Sequence, residues 1–122
     1  MDILSKKYSI EINGISTQYF AQRYSNRIYL VISQCNSFGT LINVSKDEQD
    51  GLRAEVSDAA ISTEFLLGVE ENIYKVLAKK ISSIIYKELE LPILFSFALK
   101  EKSPETFQEI LKHVDNVNVW ES

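Results

Sequence analysis

Apolar positions recur every second residue along the first half of this chain and at helical spacing in two later stretches. Residues 8–13 alternate, with Tyr8, Ile10 and Ile12 on one side. Asn13-Gly14 then supplies the residues of a two-residue hairpin, because both tolerate a positive φ. A second strand is predicted over 15–24 and a third, rich in β-branched residues and tyrosine, over 27–35. Asn36-Ser37-Phe38-Gly39 reads as the next turn, and 40–45 as a fourth strand. Four strands joined by short turns imply an antiparallel meander.

The pattern lapses over 46–58. That stretch carries Asp47, Glu48, Asp50, Glu55 and Asp58 around Gly51, with no sustained period, and is predicted to be a mobile acidic loop. A fifth strand is expected over 60–67, stopped by Gly68. Glu70-Glu71 suits the positive end of a helix, and Ile73, Leu77, Ile81, Ile84 and Leu89 recur at its spacing, widened by Val76 and Ile85. Lys75, Lys79, Ser82 and Lys87 fall on the opposite face. Residues 93–99 form a near-continuous apolar run, as expected of a sixth strand buried on both faces. Ser103-Pro104-Glu105 starts a second helix with cap, first-turn proline and acid in order; Phe107, Ile110, Leu111 and Val114 make its buried stripe. An irregular tail runs over 117–120. The expected fold is α+β: a single domain over 1–122 with one antiparallel sheet of about six strands and both helices on one face.

Helices on one face should leave the other polar, yet several strands are apolar on both. Ile28, Leu30 and Ile32 oppose Tyr29 and Val31; Tyr19 and Ala21 oppose Phe20; Ile93, Phe95, Phe97 and Leu99 oppose Leu94 and Ala98. A contiguous apolar sheet face larger than a few hundred Å² is rarely left bare in a monomer. The expectation is a second layer from another chain, sheet on sheet across a dimer axis, with Tyr19, Ala21, Tyr29 and Val31 as candidate interface residues.

Composition narrows the function. The 122 residues are 45% hydrophobic and 25% charged, which suits one globular core. The net charge is −4, and no basic cluster exceeds the pairs Lys6-Lys7 and Lys79-Lys80, which speaks against nucleic acid and against an anionic membrane surface. Cys35 is the single cysteine, so no intrachain disulfide is expected, and a reducing compartment follows. Residues 1–7 carry no long apolar run after their charges, unlike a signal peptide. His113, the one histidine, has no partner at metal-ligand spacing, and Cys35 has no base near it in sequence. The glycines build no phosphate loop, and the acidic stretch lacks calcium-loop spacing. No catalytic residue, metal site or cofactor site is therefore expected.

Gly39-Thr40-Leu41, Leu66-Leu67-Gly68 with Glu70-Glu71, Ala78-Lys79, the apolar run 93–100, Lys100-Glu101-Lys102-Ser103 and Val119-Trp120 resemble, in order and spacing, the proteasome assembly chaperone 3 family. Asn72 stands where the family pattern has a proline, and the loop over 46–58 is more acidic than that pattern. The resemblance implies a non-enzymatic chaperone that pairs with a proteasome assembly chaperone 4 family protein, or with itself. It further implies help in building the seven-membered alpha ring of the 20S proteasome through alpha-type subunit 5, and departure before the beta subunits complete the particle. A cytoplasmic location, extending to the nucleus, goes with that role. The alternatives are a scaffold or trafficking module of similar build and, in a different class, a small-molecule-binding enzyme domain.

Overall fold

A computed structural model describes residues 4–34, 39–46, 61–68 and 70–121. Its elements are β1 (Leu4–Ile12), β2 (Ile15–Arg23), β3 (Ile28–Ser33), β4 (Thr40–Lys46), β5 (Ile61–Leu67), α1 (Asn72–Ile85), β6 (Ile93–Ala98) and α2 (Pro104–His113), followed by a 3₁₀ turn, Val114–Val117. The β1–β2 turn has Asn13 at φ 52° and Gly14 at φ 78°, the doubly positive turn whose twist matches that of the flanking strands. Ser103 caps α2: its Oγ accepts a bond from the Thr106 N–H at 3.2 Å, and Pro104 occupies the first turn, where no N–H is needed. Glu71 caps α1 only through its backbone; its carboxylate is engaged instead by Lys102 Nζ at 2.8 Å.

The six strands form one sheet in the order β1-β2-β3-β6-β4-β5. The expected antiparallel meander holds for β1, β2 and β3 and then breaks. β6 inserts between β3 and β4, parallel to β3 and antiparallel to β4, so the sheet is mixed. The physical reason lies in β6 itself. Its run ILFSFA is apolar at five of six positions, as is IYLVIS of β3, and pairing the two puts both inside the sheet with each edge covered, while β4, β5 and α1 together supply the long crossover that a parallel pair requires. Lys46 belongs to β4 rather than to the acidic loop: it pairs with Ile61 in the ladder, and its Nζ lies 2.7 Å from Glu90. The rest of that loop, residues 47–58, and Cys35 lie outside the described residues.

Both helices cover the same face. Ile28, Leu30 and Ile32 of β3, Ile42 and Val44 of β4, and Ile93, Phe95 and Phe97 of β6 are fully buried there against Leu77, Ile81 and Ile85 of α1 and Ile110 of α2. Tyr74 from α1 reaches the end of β6, where its hydroxyl accepts the Leu99 N–H at 3.1 Å and its ring lies 5.6 Å from that of Phe97. Ser82 differs from expectation: it sits in the buried stripe of α1, and its Oγ has no hydrogen-bond partner among the described residues. Val76 and Ile84, expected within that stripe, are exposed. Tyr74 and Ala78 take the buried places, because the stripe is centred a little further round the helix than the leucines and isoleucines alone suggest.

Two glycines hold β4 close to its neighbours. A Cβ on Gly39 would stand 1.8 Å from the carbonyl oxygen of Phe97, and one on Gly68, at φ +90°, would stand 2.9 Å from the Thr40 Cα. Backbone packs on backbone at both, and only glycine fits.

Candidate protein-interaction face

The face opposite the helices follows from the pairing register. Across the sheet one open row runs Lys7, Phe20, Val31, Ser96, Leu41 and Leu67. The next runs Gln22, Tyr29, Leu94, Asn43 and Glu64. Phe20 and Tyr29 lie on a diagonal of the β2–β3 pair and meet edge to face, with ring centroids 6.4 Å apart. A register shift between Leu41 and Ile42 adds one residue to β5, the signature of a bulge. Leu67 takes its face from its pairing with Leu41, and Leu66 takes the same face by alternation from Glu64. These two leucines are 61% and 50% exposed, the most exposed large apolar side chains among the described residues. The result is an apolar band from β2 to β5, free of charge in its interior and bounded by Lys7 on one edge strand and Glu64 on the other.

Of the four residues expected at an interface, the structure places Tyr29 and Val31 in this band, both half-buried. Tyr19 and Ala21 are on the other face. They pair with Ile32 and Leu30 and are buried under α2 and the 3₁₀ turn. The Tyr19 hydroxyl donates to the Ile110 carbonyl at 2.9 Å, and burial pushes its pKa up, with Tyr8 and Glu109 adding to the shift. Alternation along each strand was legible, but the phase of β2 against β3 was not: Arg23 opposes Ile28, which aligns Phe20, not Tyr19, with Val31. Leu41, Leu66, Leu67 and Leu94 were missed for a different reason. β4 and β5 join the band only because β6 inserts beside β3, a non-local pairing that no local pattern announces.

Among the described residues, His113 and Gln34 are engaged in packing and backbone contacts. His113 stacks on Tyr8, with ring centroids 5.7 Å apart, and its Nε2 lies 3.9 Å from Glu109. The arrangement ties α2 to β1 at the rim of the core. Gln34 is buried and engaged through both its amide nitrogen and its amide oxygen: it donates to Thr17 Oγ1 at 3.1 Å and accepts from the Lys100 and Glu101 N–H groups at 2.9 and 3.3 Å. Among the described residues no group of three or more His, Cys, Asp or Glu could hold a metal ion, and no helix is long and apolar enough to cross a membrane.

Among the described residues the architecture is a single mixed sheet with helices on one side and an apolar band, free of charge in its interior, on the other. The family model for proteasome assembly chaperone 3 matches residues 30–117, so the chain belongs to that family. The human proteasome assembly chaperone 3 is 27% identical over 119 residues, spanning 97% of this chain and 95% of its own. The protein of the same name from Nematostella vectensis is 30% identical over 111 residues, covering 87% and 82%. A structure described as a novel chaperone complex for yeast 20S proteasome assembly shares the fold, with a TM-score of 0.57, 14% identity and coverage of 93% and 90%. The chain is thus a proteasome assembly chaperone, a non-catalytic role.

Proposed function

We propose that this chaperone acts as a dimer joined through its open sheet face. In that form it promotes alpha-ring formation by holding an alpha subunit, alpha-type subunit 5, and it leaves before the particle matures. The observation that carries the reading is the band of Phe20, Val31, Leu41 and Leu67 on the face away from the helices, which no element among the described residues covers. Two such bands stacked about 10 Å apart would bury each other as the two sheets of a sandwich do. The partner is a proteasome assembly chaperone 4 family protein or a second copy of this chain, and the location is the cytoplasm, with the nucleus also open to it. Holding requires neither cofactor nor nucleophile, only an interface weak enough to release, modest in area and rich in polar groups.

Light scattering of the purified chain at micromolar concentration is expected to give twice the mass of 14.0 kDa, or one-to-one pairing when the sister chaperone is added. Calorimetry of that dimer against isolated alpha-type subunit 5 at low and high salt then measures the client contact. Absence of binding at every salt, with and without the sister chaperone, refutes the client assignment and leaves the dimer to stand or fall on its mass.

A further inference from the structure

The outer face of α1, as far as Lys87 just beyond its end, carries positive charge only. Between Asn72 and Lys87 the sequence has four lysines, Lys75, Lys79, Lys80 and Lys87, and no carboxylate, in a chain of net charge −4. Elsewhere Lys46 pairs with Glu90, Lys102 with Glu71 and Lys112 with Glu109, while Lys6, Lys7 and Lys100 carry no ion pair among the described residues. The three lysines on α1, and Lys87 just beyond its end, have no ion-pair partner among the described residues either. Lys75, Lys79 and Lys80 lie inside α1, before the last turn where the helix dipole would favour them, and only Lys87 stands just beyond that end. Lys75 and Lys79 stand at i, i+4, where like charges repel. Val76, roughly opposite the buried stripe, and Ile84, on its shoulder, are 41% and 39% exposed among these lysines.

We propose that this face is a docking surface for an acidic amphipathic helix of a partner protein. The occupant's apolar side chains would rest on Val76 and Ile84, and its carboxylates would meet Lys75, Lys79, Lys80 and Lys87. Charge complementarity sets the sign of the occupant. The ridge of Val76, Lys80 and Ile84, spaced four residues apart, sets its shape, because such ridges pack into the grooves of another helix. The face carries none of the tryptophan or phenylalanine that anchors a helix in a lipid interface, so protein is favoured over membrane. The surface is separate from the apolar band, since α1 covers the opposite side of the sheet. It can therefore be occupied while the sheet face is engaged.

The test titrates the full-length ¹⁵N-labelled chain with a synthetic helical peptide of Glu and Leu, leucines at i, i+3, i+4 and i+7. Controls are a scrambled peptide of the same composition and vesicles about one-third anionic lipid. The largest amide shifts are expected at Val76, Lys80 and Ile84, with affinity falling about tenfold between low and high salt as screening grows. The quadruple variant Lys75→Glu, Lys79→Glu, Lys80→Glu, Lys87→Glu is expected to keep its thermal midpoint within a few degrees and to lose the shifts, as is Val76→Glu. Equal binding of the scrambled peptide, shifts centred elsewhere, no binding, or unchanged binding by the folded quadruple variant overturns the proposal. Tighter binding to the vesicles than to the peptide overturns it in favour of a membrane.

Discussion

Leu30 and Val31 are neighbours in β3 that face opposite layers, so substituting each in turn separates folding from association. Leu30 is fully buried under the helices, paired with Phe95 and Ala21 on the covered face. Leu30→Ala removes three buried carbons and leaves a cavity, which costs about 2–5 kcal/mol. Against a typical total of about 5–15 kcal/mol this is a large share. It corresponds to a fall in Tm of about 8–20 °C for a chain of this length. Val31 is half-buried on the open face beside Phe20 and Ser96. In the single chain, a lysine there can extend its amine past Phe20 into water, so Val31→Lys should cost the fold about 1 kcal/mol or less. In a sheet-on-sheet dimer the same amine is trapped against an apolar surface at about 1.5–2 kcal/mol per copy. A two-fold axis places the substitution on both sides, giving about 3–4 kcal/mol, or roughly a hundred- to a thousandfold in Kd. Only one copy enters a pair with an unmodified sister chaperone, so there the loss is about tenfold to thirtyfold. Sedimentation over a concentration series gives Kd, and thermal melting over the same series gives Tm. The Tm of the Val31→Lys protein should no longer depend on concentration, because no dimer remains to stabilise it by mass action. A Val31→Lys protein with unchanged Kd, or with a Tm loss as deep as that of Leu30→Ala, would refute the assignment of the open face.

Gly39→Ala places a methyl group 1.8 Å from the Phe97 carbonyl and is expected to cost about 3 kcal/mol or more, whereas Gly14→Ala meets nothing within 4 Å and should cost only the strain of φ +78°, about 1 kcal/mol; chemical denaturation compares the two. Burial raises the pKa of Tyr19 and Tyr86 above the ordinary 10.0, so each contributes stability that is intact below pH 10 and is lost as pH rises from there towards the folded-state values. The loss is about 1 kcal/mol per tyrosine between pH 10 and 11, and Tyr19→Phe with Tyr86→Phe should flatten the fall in denaturation midpoint over that range. Cys35→Ser with His113→Ala should leave alpha-ring assembly in cells normal, at a stability cost of about 1 kcal/mol or less from the lost stacking on Tyr8; a large assembly defect in a folded double variant would reveal chemistry at one of them.

What this sequence determined by itself is local. Period-two alternation, Asn13-Gly14, Gly68 and the Ser103-Pro104 start each act within a few residues, and the elements they predict exist within about three residues of their expected bounds, except that β1 starts earlier, at Leu4, and α1 ends at Ile85, four residues before Leu89. The apolar character of both faces was also legible, because side chains on both sides of β3 and β6 are apolar whatever their neighbours are. The family followed from short motifs whose order carries more information than any one of them. What only the tertiary structure decided is the set of pairings between distant strands. A one-residue change in the phase of β2 moves Tyr19 to the open face and Phe20 into the core; the choice between them is made by the ladder with β3 and by the Ile110 carbonyl, 91 residues away in sequence, that receives the Tyr19 hydroxyl. The insertion of β6, which makes the sheet mixed and brings Leu41, Leu66 and Leu67 into the band, is likewise a contest between whole strands for the central position. The two most apolar strands, β3 and β6, take the central positions because both of their hydrogen-bonding edges are covered there, and that preference is expressed only once the other strands are in place.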